Sequence, residues 1–193
     1  MIEKIRKAFL TMFGIGNVPP FFGIGYAPGT IASLITCLIY YNIPFYGFNY
    51  YIGHLAVIFL LIIFAIPSID KYIKKNKEKD PKEIVIDEFI GQYITLFLLY
   101  SSLKIKMALK FDHGLRGAYI DESLVMETGR FKIYLLCFVL FRVFDILKPY
   151  PINLIDKKIK NGTGVVLDDI IASIYAAITA FIIIYLTPWQ LWK

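Results

Sequence analysis

The sequence predicts an all-α fold: a polytopic membrane helical bundle of about five membrane-embedded helices, with an N-terminal amphipathic helix lying at the interface. Three observations carry this. Apolar residues make up 58% of the 193 positions. Charged residues make up 19%, where about 25% is usual for a soluble domain, and the mean hydropathy is +0.61. The apolar residues also fall in long runs separated by Pro, Gly and Lys, so their solvent is not only water. This balance excludes disorder and fits a water-soluble globule poorly. The length suits one domain, 1–193. Cys37 and Cys137 both lie inside apolar runs, so they found no disulfide framework or metal finger and read as small buried hydrophobes.

The first element is an interfacial helix and turn over 1–22. Ile2, Ile5, Phe9, Met12 and Phe13 share one helical face, with Lys4, Arg6 and Lys7 opposite, the pattern of a basic helix in a membrane surface. A secretory signal fits less well, because no small-residue cleavage site follows. Five spans come next, at 30–48, 51–69, 84–103, 133–147 and 170–187. The first is interrupted by Asn42 and Pro44 and the fourth is short, so either can tilt, thin the bilayer or enter partway. The fifth has no charge and closes on Pro188 and Trp189, residues suited to an interface. Between spans three and four, 104–130 mixes Asp112, Asp121, Glu122 and Glu127 with lysines and arginines and reads as an external insertion.

Orientation follows from the cations. The N-terminal side collects Lys4, Arg6, Lys7, the six lysines between 71 and 82, Lys148, Lys157, Lys158 and Lys160, thirteen against seven on the other side. The N-terminus is therefore expected in the cytoplasm and the chain in the inner (cytoplasmic) membrane. The net charge of +6 is juxtamembrane, where it meets an anionic lipid bilayer; no aromatic-interleaved basic stripe for nucleic acid is present.

On that topology five acids reach one interface: Asp87 and Glu88 at the start of span three, Asp145 near the end of span four, and Asp168 and Asp169 at the start of span five. The glycine-containing stretch 23–30 opens span one on the same side. Helix N-termini brought together make an anion site, and carboxylates gathered among them need a cation, for which an all-oxygen set suits Mg²⁺. Plainer roles stay open for each part. First-turn acids can simply cap helices, Arg142 and Asp145 can neutralise each other at i,i+3, and Gly91, Ala172, Ala176 and Ala180 read as close-packing points. His54 and His113 lack the company of a catalytic base. These roles leave unexplained why four separated polar motifs meet on one side.

Those motifs, GYAPGT at 25–30, EIVIDEFIGQ at 83–92, FRVFDILKPYPI at 141–152 and GVVLDDIIAS at 164–173, closely resemble, in order, the phosphatidylglycerophosphatase A family. Its members are Mg²⁺-dependent membrane phosphatases that convert phosphatidylglycerophosphate to phosphatidylglycerol. The resemblance covers the chain from about residue 13 onward. It departs at Ala32-Ser33, where the family usually has Gly-Ser, and at 104–130, onto which nothing is carried. It implies that Asp87, Glu88, Asp145, Asp168 and Asp169 form a catalytic, metal-holding centre, with Thr30, Arg142 and Lys148 on the substrate's anionic oxygens. Such a centre suits the reaction, because a phosphomonoester dianion needs cations to screen it, an in-line nucleophile and help for the departing alkoxide. A metal-activated water and direct attack by a carboxylate both remain open.

Other phosphatase chemistries lack their parts. No Cys-x5-Arg loop, Asp-x-Asp pair or GK[ST] phosphate loop occurs, and two histidines cannot build a His-rich site. Two further classes remain as alternatives. A small transporter would place ionisable groups near mid-bilayer on broken helices, and only Asn42 and Pro44 hint at that. A non-catalytic lipid-binding homologue would tolerate loss of the acids.

Overall fold

The computed structural model describes residues 1–18, 27–43, 49–76, 81–112 and 129–187. Within them the chain forms seven α-helices and no strand, so the all-α expectation holds. They are α1 (Ile2–Leu10), α2 (Pro28–Tyr41), α3 (Asn49–Asn76), α4 (Ile86–Asp112), α5 (Arg130–Leu147), α6 (Ile152–Lys158) and α7 (Gly162–Leu186). Each expected span overlaps one of the five longest helices. Two of them, over Tyr50–Asn76 and Gly162–Leu186, are long and apolar enough to cross a bilayer by themselves. The others fall short for identifiable reasons. Helix α2 has 14 residues, about 21 Å at 1.5 Å each against a hydrocarbon core of about 30 Å. Helices α4 and α5 carry Asp87, Glu88, Arg142 and Asp145 within their lengths.

Two boundaries differ from expectation. Helix α4 runs on to Asp112, so the first part of the expected insertion is helical; 113–128 lies outside the described residues. Helix α1 stops at Leu10, and Met12 and Phe13 take left-handed backbone angles (φ 46° and 56°) before Gly14 at φ 99°. Those angles split the single apolar face read from the sequence, turning Met12 inward, 9% exposed, and Phe13 outward, 93% exposed. The turn is tied to the start of α4. The Val85 N–H donates to the Leu10 carbonyl at 3.0 Å, and Lys7 lies 3.6 Å from Glu83, which also accepts from the Tyr72 hydroxyl.

Helices α4 and α7 form the central pair, with α2, α3 and α5 around them. Their close approach comes from small residues. Ala172, Ala176 and Ala180 recur every four positions on one face of α7 and are fully buried. A Cβ at Gly91 would strike the Phe141 ring and approach the Asp169 carbonyl. The predicted packing role of these four residues is thus what the structure has. Outside, Leu34, Leu38, Leu55, Phe59, Phe64, Leu135, Ile178 and Ile182 are exposed, more apolar surface than isolated surface residues would give.

Candidate active site

The site is assembled by three helix ends. At the start of α7 the Asn161 side chain accepts from the Gly164 N–H at 3.1 Å, and Asp70 of α3 accepts from the Gly162 N–H at 2.6 Å. Gly162 is required here, because a Cβ would run into the Ile66 carbonyl and Asp70. With its first N–H groups satisfied so early, α7 begins eight residues before the expected span start at 170. Asp168 and Asp169 therefore lie in its second turn, beyond the four unpaired N–H groups that a capping side chain can serve. Both are buried, 5% and 3% exposed. Capping cannot account for them.

Asp87 and Glu88 do occupy the first turn of α4, and the Glu88 carboxylate sits where a Cβ of Gly29 would be. The glycine of the PGT motif thus lets α2 start directly against this acid. From α5, Arg142 pairs with Asp145 at 2.7 Å and lies 4.0 Å from Glu88. The i,i+3 neutralisation that the sequence leaves open for that pair is present.

Lys148 ends α5 in the left-handed conformation, φ 43°. Glycine takes that conformation readily and lysine does not. The turn carries its amine to Asp168 at 2.6 Å and Asp156 at 3.1 Å. Burial opposes the charged form of Lys148, but the hydrogen bond and charge of Asp168, then those of Asp156, outweigh it and hold the pKa above the usual lysine value. Lys148 is an ammonium.

All five predicted acids and Lys148 line a single cavity of about 180 Å³, together with Asp156 and Lys160. Thr30, half-buried at the start of α2, and Arg142, behind Asp145, are not among its lining residues. The acids fall into two groups. Asp168 and Asp145 each pair closely with a cation, at 2.6 and 2.7 Å, whereas Asp87, Glu88 and Asp169, of which Glu88 has the Arg142 guanidinium 4.0 Å away, offer oxygens all within 4.8 Å of one another. In this trio Asp87 Oδ1, Glu88 Oε2 and Asp169 Oδ2 are buried without a hydrogen-bond partner. Three carboxylates so close repel one another unless a cation or protons intervene. Hard oxygen ligands at this spacing fit Mg²⁺, which takes a few carboxylates and leaves its other positions to water and phosphate oxygens.

Asp156 and Lys160 were not singled out from the sequence. In the sequence Lys160 counts only as a juxtamembrane charge, and Asp156 belongs to none of the motifs. What brings them to the cavity is the turn at 149–151 that folds α6 back onto α7. Pro149 and Pro151 were its sequence signal.

The sequence profile of the phosphatidylglycerophosphatase A family matches residues 8–184. The chain is 33% identical to the phosphatidylglycerophosphatase A of Haemophilus influenzae over 90% of its own length and 85% of that protein. It is 28% identical to the Escherichia coli protein of the same name, over 81% and 75%. It is also 28% identical to a putative phosphatidylinositol-3-phosphatase of Bacteroides thetaiotaomicron, over 95% and 97%. No solved structure matches.

Proposed function

Because the chain belongs to the phosphatidylglycerophosphatase A family of phosphatases, we propose that it removes the terminal phosphate of phosphatidylglycerophosphate to give phosphatidylglycerol, with Mg²⁺, at the cytoplasmic face of the inner membrane. The observation that carries this reading is the trio of buried, unpartnered carboxylate oxygens on Asp87, Glu88 and Asp169, opening into a cavity that also holds a lysine ammonium.

Asp87, Glu88 and Asp169 would hold the metal, with Asp145 and Asp168 beside them in the same cavity. Bound there, Mg²⁺ supplies charge screening for the phosphate and lowers the cost of making a nucleophile at neutral pH. The remaining work belongs to the chain. Lys148 presents donors to the phosphate oxygens and can stabilise the departing glycerol oxygen. Arg142 keeps Asp145 and Glu88 oriented through its ion pairs. Thr30 and the Pro28-Gly29 backbone open α2 beside Glu88, an N-terminus that favours anions. The acids sit at helix ends beside one face, which favours catalysis on a headgroup over a transport path at mid-bilayer.

In this reading all five long helices are membrane-embedded, α2 and α5 less deeply than α3 and α7, and α1 lies in the interface on the cytoplasmic side. A cysteine at Asn76 should then escape an impermeant thiol reagent in intact cells. Labelling there would reverse the orientation.

The functional test is phosphate release by the purified full-length chain from phosphatidylglycerophosphate, phosphatidate and phosphatidylinositol 3-phosphate, with and without Mg²⁺. Preference for the first lipid in the presence of Mg²⁺ is expected. The Bacteroides relative makes the inositol lipid the second candidate, and preference for it would reassign the substrate within lipid phosphomonoesters. No release from any of the three would remove the phosphatase reading of this site.

A further inference from the structure

One carboxylate at the cavity has two ammonium partners. Asp156 Oδ1, on α6, lies 3.1 Å from Lys148 Nζ and 3.9 Å from Lys160 Nζ. Both lysines line the cavity, and Lys148 also reaches Asp168 at 2.6 Å. The three elements concerned differ in rigidity. Asp168 is fixed within a long, capped helix, whereas Lys148 hangs from a left-handed turn and Lys160 from the turn between α6 and α7. A lysine side chain on such a turn has several rotamers, and two ammonium groups left without a shared counter-charge move apart. Asp156 removes both freedoms at once.

We propose that Asp156 is a positioning residue that gathers Lys148 and Lys160 at one edge of the cavity, so that an incoming phosphate meets two ammonium groups there and the acid trio beyond them. The inference rests on the phosphatase reading above for its substrate, but not for the geometry it describes. Asp156 has a side chain 39% exposed and Lys160 one 46% exposed, so their pairing contributes little to folding. Its consequence should appear in substrate capture. Lys148 alone, drawn toward Asp168, would neutralise an acid; held between two carboxylates, it keeps donors directed across the cavity mouth.

The test compares the full-length wild type with Asp156→Asn, Asp156→Glu, Lys148→Met and the Asp156→Asn/Lys148→Met double variant. For Asp156→Asn, KM for phosphatidylglycerophosphate should rise about tenfold while kcat stays within about twofold, the pattern of lost ground-state positioning. Asp156→Glu should recover most of that loss, and the double variant should lose less than the sum of the two single losses, because both changes remove the Asp156–Lys148 pair while only Asp156→Asn also removes the Asp156–Lys160 pair.

A second readout needs no substrate. The rate at which an amine-reactive ester acylates Lys148, followed by mass spectrometry, should rise several-fold in Asp156→Asn, since the ammonium loses one of its two carboxylate partners. An unchanged labelling rate overturns the proposal, as does additivity in the double variant. If the wild type releases no phosphate from any lipid, the phosphatase reading fails, and the labelling experiment still decides whether Asp156 positions Lys148.

Discussion

The two ends of this bundle both bury polar side chains, but of different kinds: neutral hydroxyls and one imidazole among aromatic rings at one end, carboxylates crowded together at the other. At the end reached by the C-terminus of α2 and the N-termini of α3 and α5, Tyr40, Tyr50, His54, Tyr93, Tyr100 and Tyr134 pack with Phe97. The Tyr40 and Tyr50 hydroxyls hydrogen-bond at 2.7 Å, and His54 Nδ1 meets the Tyr93 hydroxyl at 2.6 Å. At the other end, oxygens of Asp87, Glu88 and Asp169 are equally enclosed and make no hydrogen bond. Burying a neutral hydroxyl among rings costs little beside burying carboxylates that repel one another, and such a cluster persists where function needs it. On that ground the aromatic end reads as structural, and the acidic end, with three like charges within 4.8 Å, is where the bundle accepts the larger cost.

The largest effects should come from completing or dismantling the acidic end. Under the Mg²⁺ reading, exhaustive chelation should abolish phosphate release, and Mn²⁺ should restore it better than Zn²⁺, because the trio is all hard oxygen. Retained turnover after chelation would take the metal out of the site. Asp87→Asn and Asp169→Asn should each lower turnover by about 100-fold or more, the scale of losing a major electrostatic contributor. In metal-free buffer the same variants should melt no lower than wild type, since each removes a like charge from a crowded trio. Activity and stability would then move in opposite directions, which no capping role predicts. Asp168→Asn should differ from both by leaving Lys148 with a weaker partner, so KM should rise along with the Mg²⁺ requirement.

How much of this was legible beforehand depends on which physics places each residue. The apolar runs revealed every long helix, because period and length are local properties of the chain. The convergence of Asp87, Glu88, Asp145, Asp168 and Asp169 was legible too, since alternating spans bring alternate ends to one side. The division of those acids into a trio and two cation-paired residues was not. It depends on side-chain direction across α4, α5 and α7 and on how closely Gly91 and Gly29 let backbone and carboxylate approach. The true start of α7 was hidden because Asn161 and Gly162, its cap and first residue, precede the apolar run. Asp156 was hidden for a related reason, that its place depends on how a seven-residue helix folds back. Met12 and Phe13 were misread as one face because positive φ in non-glycine residues leaves no pattern in sequence.

Gly91 tests the boundary between the two ends, and the effect should be intermediate. It lies in α4 one turn beyond the acid pair, against Phe141 and the Asp169 carbonyl. Gly91→Ala puts a methyl into that contact, with an expected loss of about 1–3 kcal/mol from overpacking. If the trio's spacing matters, turnover by the folded fraction should also fall, by about tenfold for a displacement of well under an ångström. A variant that melts earlier but turns over normally would show that Asp169 tolerates movement, and would weaken the trio as the metal-holding set.

The smallest expected effect on turnover, and the sharpest contrast, belongs to His54. Its ring packs on Phe97 with centroids 5.6 Å apart and on Tyr50 at 4.2 Å, so His54→Phe keeps the aromatic packing. What it removes is Nδ1, the partner of the Tyr93 hydroxyl. Depriving a buried hydroxyl of its partner costs about 1–3 kcal/mol, which thermal unfolding in detergent should register as a clear downward shift. Pairing the change with Tyr93→Phe deletes both polar groups, so the double variant should recover much of that loss. Turnover per folded molecule should stay within about twofold throughout, since His54 and Tyr93 belong to the opposite end of the bundle from the cavity. A large fall in turnover in His54→Phe without loss of folded protein would mean that the aromatic end takes part in the chemistry, and the division of labour between the two ends would have to be abandoned.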